Sequence, residues 1–153
     1  MVNTRIKRKV NGQVVRVESV DKPKRKKRTP RQIEDDLCCT LWSAAVRTRD
    51  GYVCQYCGTP TKKAEAHHIF TRSHKSTKFD LANGITLCWP CHKYRAVSGD
   101  FAYWEQHTWL GLKKWEALHE KTMEIVKTTD AWYAEQEARL RAEVKRLQDK
   151  ATE

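Results

Sequence analysis

The chain has 153 residues and a formal net charge of +11, a size that fits one domain or a small domain with tails. It holds no run of about 18 apolar residues and no signal-peptide-like segment near its start, so neither membrane insertion nor secretion is expected, and a cytoplasmic location is. In that reducing compartment six cysteines read as metal ligands or buried thiols rather than disulfides.

The charge is concentrated in an arm. Residues 1–31 hold 12 Lys/Arg against 2 Asp/Glu, so this stretch carries +10 of the net +11. Within it, RIKRKVNGQVVRV sets Asn11-Gly12 between short Val- and Ile-containing stretches, a hairpin signal, although a lone hairpin is marginal in water. The DKPKRKKRTP run that follows has nothing to bury and is expected to be extended or disordered. The plain alternative for such a run is a solubilising tail. Blocks of this sign more often contact polyanions, with nucleic acid the obvious one, so Arg25, Lys26, Lys27 and Arg28 are expected DNA contacts.

From Arg31 the pattern turns helical, with Ile33, Leu37, Leu41 and Ala44/Ala45 at spacings of three and four, and Asp50-Gly51 ends it. Cys38 and Cys39 fall inside this helix and are expected to be small buried side chains. Next come Cys54 and Cys57 in YVCQYCG, and later Cys88 and Cys91 in LCWPCH. Two such knuckles supply four thiolates on tight turns, the arrangement of a structural zinc site. A closed four-thiolate site has no open position, so this zinc staples the fold and the chemistry belongs between the knuckles.

Between them, AEAHHIF reads as a strand, TRSHKSTKFDLAN as a loop, GITL as a second strand and CWPCHKYRAV as a helix with Pro90 in its first turn. The rest of the chain returns to helix. An aromatic cluster at Phe101, Tyr103 and Trp104 precedes Leu112, Trp115, Leu118, Met123 and Ile125/Val126 at near-helical spacing. Asp130 is the expected cap of a last helix. In that helix Tyr133, Leu140, Val144 and Leu147 make a narrow stripe, suited to packing on the domain or to a weak contact with a second copy or another protein.

The ββα unit resembles the HNH, or ββα-metal, endonucleases. Their pattern joins a His at the end of the first strand, an Asn before the second and a His directly after the last cysteine, here His68, Asn83 and His92. The resemblance covers about residues 43–97 and takes in both knuckles. The general look, including the RSHKSTKFDLANGITLC loop, is similar to phage-encoded members, which implies a phage protein as one expected partner of the C-terminal helices. It implies an α+β fold with a small zinc-stapled ββα-metal core, flanked by α-helices and preceded by the basic arm. The expected organisation is an arm and linker over 1–30, the nuclease domain over 31–128 and a charged helix over 129–153.

The residues support the same chemistry. Phosphodiester hydrolysis requires an activated water and a cation to hold charge on the phosphoryl oxygens. His68, with an ordinary pKa of about 6.5, is the expected general base. His67 and His92 are the expected ligands of a second, catalytic divalent cation (Mg²⁺, Mn²⁺, Co²⁺ or Ni²⁺). Asn83 is expected to tie down the loop that orients His68, and Arg72 to grip a phosphate. Lys75, Lys78, Lys93 and Arg95 are expected phosphate contacts, the plain alternative being an exposed basic face. His74 is read as a solvated loop residue, and His107 and His119 as parts of the tail helices. Many family members carry Asp where His67 stands, which predicts a softer site that Mn²⁺, Co²⁺ or Ni²⁺ serves at least as well as Mg²⁺. Adjacent strand residues point to opposite faces, so His67 and His68 serve one site only if the strand ends or twists there.

The expected function is a metal-dependent DNA endonuclease of low sequence specificity, acting on duplex, nicked or branched DNA. The alternative is a zinc-stapled DNA-binding module without catalysis, serving transcription, recombination or virion assembly. Only the three histidines separate the two.

Overall fold

The computed structural model describes residues 6–10, 13–17, 27–96 and 110–152. In the arm, β1 (Ile6–Val10) pairs antiparallel with β2 (Gln13–Val17), Val10 lying opposite Gln13. The Asn11-Gly12 step between them, and Arg25, Lys26, Phe101, Tyr103, Trp104 and His107, lie outside the described residues.

Helix α1 spans Pro30–Arg49, starting one residue before the apolar periodicity because its cap precedes it. Thr29 Oγ1 accepts from the Gln32 amide at 3.3 Å, and Gln32 Oε1 accepts from the Thr29 amide at 2.9 Å, a reciprocal capping box with Pro30 at the first helical position. One face of α1 buries Cys38, Trp42, Ala45 and Val46.

Two short strands follow, β3 (Glu65–His68) and β4 (Gly84–Leu87), antiparallel with His67 opposite Ile85 and His68 opposite Gly84. The strand expected over 64–70 ends two residues early. The Ile69 amide still bonds the Asn83 carbonyl in register at 3.0 Å, but Asn83 closes a 3-10 turn over Leu81–Asn83 rather than extending β4, and the Phe70 amide donates to the Asn83 side chain, at Oδ1, at 2.7 Å. Helix α1 lies so close to this hairpin that a Cβ on Gly84 would stand 2.4 Å from Val46 Cγ2 and 2.8 Å from Trp42 Cζ2. The end of α1 clamps β4 as well. Arg49 donates to the Leu81 and Gly84 carbonyls at 2.6 and 2.8 Å, and Asp50 Oδ2 accepts the Thr86 amide at 3.0 Å.

The helix expected after the second knuckle is a single turn, α2 (Trp89–Cys91), that widens into a π-helical turn over His92–Ala96. Helix α3 (Leu112–Thr122) buries Trp115 and Leu118, whereas Met123 and Ile125 are exposed and fall outside the apolar stripe expected of them. Helix α4 spans Asp130–Ala151, and its cap is Thr129, whose Oγ1 accepts the Trp132 amide at 3.1 Å. Asp130, the expected cap, is instead the first helical residue and accepts from Arg31 Nη2 at 3.1 Å.

Helix α4 packs along α1. Cys38, Trp42, Val46, Phe79, Tyr133 and Leu140 form one core there. A second, smaller core of Cys54, Ile69, Ile85, Leu87 and Cys88 sits at the knuckles. The architecture is α+β, a ββα unit flanked by helices. Among the described residues no helix is long and apolar enough to cross a membrane.

Candidate metal centre and active site

The first knuckle is shaped by its backbone. After Cys57 the chain turns at Gly58 (φ 71°), a left-handed conformation that glycine adopts without strain, and the Gly58 amide donates to the Cys54 carbonyl at 2.8 Å. The sulfurs of Cys54, Cys57, Cys88 and Cys91 all lie within 4.8 Å of one another, and those of Cys57 and Cys88 are 3.8 Å apart. Tetrahedral zinc with Zn–S bonds of about 2.3 Å requires sulfur–sulfur edges of about 3.8 Å, so the cluster fits that ion. The thiols cannot all ionise unaided. Hydrogen bonds from Thr59 draw Cys57 down to about 6, while burial pushes Cys88 and Cys91 up. A cation at the centre removes that conflict.

On the neighbouring face of β3, the His67 ring meets the His92 ring at 5.2 Å, edge to face. Burial, and then the nearness of His92 and His68, lowers His67 to about 4. Its imidazole is therefore neutral at physiological pH, the form that ligates metals. His92 Nδ1 lies 2.5 Å from Glu65 Oε2. An Nδ1–H donated to that carboxylate leaves Nε2 as the lone pair of His92, the arrangement by which carboxylates orient metal-binding imidazoles.

His68 closes β3 and leaves it on the other side. Its ring stacks on Trp42 of α1 at 3.7 Å and 11°, and its Nε2 is 2.9 Å from the Lys78 carbonyl. A carbonyl only accepts, so Nε2 carries the proton and Nδ1 the lone pair. Burial, helped by the charges of Arg72 and Lys78, lowers the His68 pKa against the opposing hydrogen bond to the Lys78 carbonyl. Asn83 is fully buried and holds the loop between the strands, donating to the Phe70 and Thr77 carbonyls at 3.0 and 3.1 Å as well as accepting from Phe70.

The order Cys54, Cys57, His67, His68, Asn83, Cys88, Cys91, His92 is thus assembled around one hairpin and one helical turn. The HNH endonuclease family model matches residues 54–95. This segment is an HNH domain. No curated protein and no solved structure matches the chain.

The basic residues named from the sequence divide. Lys27, Arg28 and Lys75 line one cleft of about 600 Å³ beside Asp35 and Tyr133, next to the HNH segment, although Arg28 is also paired with Asp36 at 2.7 Å. Arg72 is exposed near His68, and Lys93 is exposed over the rings of Trp89 and Tyr94. Lys78 is different. It is only 4 % exposed and its ammonium is 2.5 Å from both carboxylate oxygens of Asp35, so it has no free face for a phosphate. Expecting it to bind DNA overlooked a carboxylate on a distant helix.

Of the tail histidines, His119 stacks on Trp115 at 4.8 Å. Cys38 is buried in the α1–α4 core, as a plain small side chain. The sequence reading missed Glu65. The signal was available, because residues two apart on a strand share a face and Glu65 precedes His67 by two. Trp42 and Asp35 carried no such signal, since only the tertiary fold brings α1 onto the hairpin.

Proposed function

We propose that the protein is a metal-dependent DNA endonuclease of low sequence specificity, with the non-catalytic binding module as the reading to be beaten. The observation that carries this is the meeting of two imidazoles from distant segments, His67 and His92, at 5.2 Å, which DNA binding alone does not require. Held by these two residues, a divalent cation supplies the charge that stabilises the phosphoryl oxygens. Because β3 ends at His68, the base and the cation's ligands serve one phosphate from the end of the strand, and His68, fixed through Nε2–H, takes the proton of the attacking water at Nδ1. Asn83 holds the loop whose Lys78 carbonyl orients His68. Arg72 grips the phosphate with its planar fork, and the family resemblance implies 5′-phosphate and 3′-hydroxyl products. Lys27, Arg28, Lys75, Lys93 and the arm make phosphate contacts that carry no sequence information. The substrate is duplex, nicked or branched DNA met in the cytoplasm. Any homodimer or other protein contact through the C-terminal helix uses the face that α1 leaves open.

A plasmid nicking assay tests the reading. Supercoiled DNA is nicked with Mn²⁺, Co²⁺ or Ni²⁺ at least as fast as with Mg²⁺, and not in excess chelator. Activity with Mg²⁺ alone contradicts the imidazole-rich site, and no cleavage with any divalent ion leaves the binding module. A second measurement addresses the arm. Removing residues 1–29 weakens DNA binding and flattens its dependence on salt, because fewer counterions are released; an unchanged salt slope excludes the arm as a contact.

A further inference from the structure

The strip Thr77–Asp80 is where the HNH segment reaches His68, and side chains from several elements claim its carbonyls. Thr77 accepts from Asn83 at 3.1 Å and Lys78 bonds His68 at 2.9 Å. Phe79 accepts from Arg139 of α4 at 2.9 Å, and Asp80 from Trp42 of α1 at 2.9 Å. The Lys78 side chain is fixed as firmly as its backbone. Its Nζ sits between the two Asp35 oxygens on α1, and Asp35 Oδ1 also accepts the Tyr133 hydroxyl of α4 at 3.1 Å. A continuous path of contacts therefore runs from Tyr133 through Asp35 and Lys78 to His68.

As a source of stability the Asp35–Lys78 pair is a poor choice, since a buried ion pair is often matched or bettered by apolar residues of similar volume. What the pair does provide is a single placement of the Lys78 backbone, and with it of the carbonyl on which His68 rests. We infer that Asp35, Lys78 and Tyr133 are positioning residues for His68, so that α1 and α4, both outside residues 54–95, complete the active site. The effect on rate rests on the nuclease reading above; the geometric claim does not.

The test uses the full zinc-loaded chain with both charges removed together, Asp35→Leu with Lys78→Met, so that no ammonium is stranded. Tyr133→Phe serves as a milder variant. Three quantities are read: melting temperature, single-turnover nicking in Mn²⁺ at saturating protein alongside plasmid affinity, and the His68 ring signals by side-chain ¹⁵N NMR. The double variant is expected to stay folded, its melting temperature lowered at most slightly by the Tyr133 hydroxyl that loses its Asp35 acceptor, and to bind plasmid unchanged. It should nick about tenfold or more slowly, as displaced catalytic groups do, with its His68 Nε2 proton exchanging faster. Tyr133→Phe is expected to change the rate and ring signals in the same direction by less. Wild-type rate in the double variant overturns the inference, as do unchanged His68 signals. If the wild-type protein nicks nothing, the nuclease reading fails separately, and the NMR comparison alone decides whether the pair positions His68.

Discussion

Replacing Cys88 with serine, or stripping the metal with a strong chelator, unfolds the ββα unit while leaving the α1–α4 pair helical. The two cores explain the division. Cys54 and Cys88 are themselves members of the knuckle core, in which, among the described residues, Ile69, Ile85 and Leu87 are the other buried side chains and Phe70, Cys91, Ala96 and Leu110 are partly buried against them. That is too little apolar surface to hold a hairpin and one helical turn unaided. Structural zinc contributes about 10–16 kcal/mol in small zinc peptides, as much as or more than the whole stability of a typical domain at about 5–15 kcal/mol. The other core, built from Trp42, Val46, Phe79, Tyr133 and Leu140, contains none of the knuckle cysteines. Hydrogen exchange reads the difference directly. The amides of Ile85 and Leu87 lose their protection on metal removal, and those of the central turns of α1 and α4 keep most of theirs. Retained protection in β4 with the zinc gone would show that the hairpin stands on its own packing.

The parts of this architecture that were legible in the sequence are those encoded over short distances. Cysteine pairs with fixed spacing announce a metal whatever surrounds them, and the run from Asn83 to His92 carries its strand, knuckle and helical turn within ten residues. Asn83 was legible for its loop role because its amide bonds residues of its own loop, Phe70 and Thr77. The parts that were not legible depend on segments far apart in sequence. Lys78 looks like any basic loop residue until α1 brings Asp35 against it. Trp42 looks like one more apolar helix residue until its ring proves to support His68. The narrow stripe on α4 left its partner open, and the structure gives that partner as α1, with Tyr133 and Leu140 buried between them. The end of β3 was misjudged for a local reason of another kind. Ile69 and Phe70 have strand-forming side chains, but the segment opposite them, Leu81–Asn83, is a 3-10 turn, so no extended neighbour continues the ladder and the Phe70 amide bonds the Asn83 side chain.

His68→Ala is expected to abolish metal-dependent nicking while zinc content and plasmid affinity stay constant. The size of the loss follows from what is removed. General acid–base catalysis contributes about 10²–10⁴-fold, and alanine leaves no group at this position able to accept a proton. The Lys78 carbonyl would lose its partner as well, but Thr77, Phe79 and Asp80 remain tied to Asn83, Arg139 and Trp42, so the strip should stay in place. The pH profile gives an independent check with a definite sign. Burial, with the charges of Arg72 and Lys78, lowers the His68 pKa from its ordinary value. The base therefore stays neutral, and active, to more acidic pH than an exposed histidine, whose pKa is about 6.5. With the cation saturating, the nicking rate should be level through neutral pH and fall only on the acid side of that value. A rate that climbs steadily above pH 8 would assign the proton transfer to some other group, and a His68→Ala variant that still nicks at the wild-type rate would remove His68 from the reaction altogether.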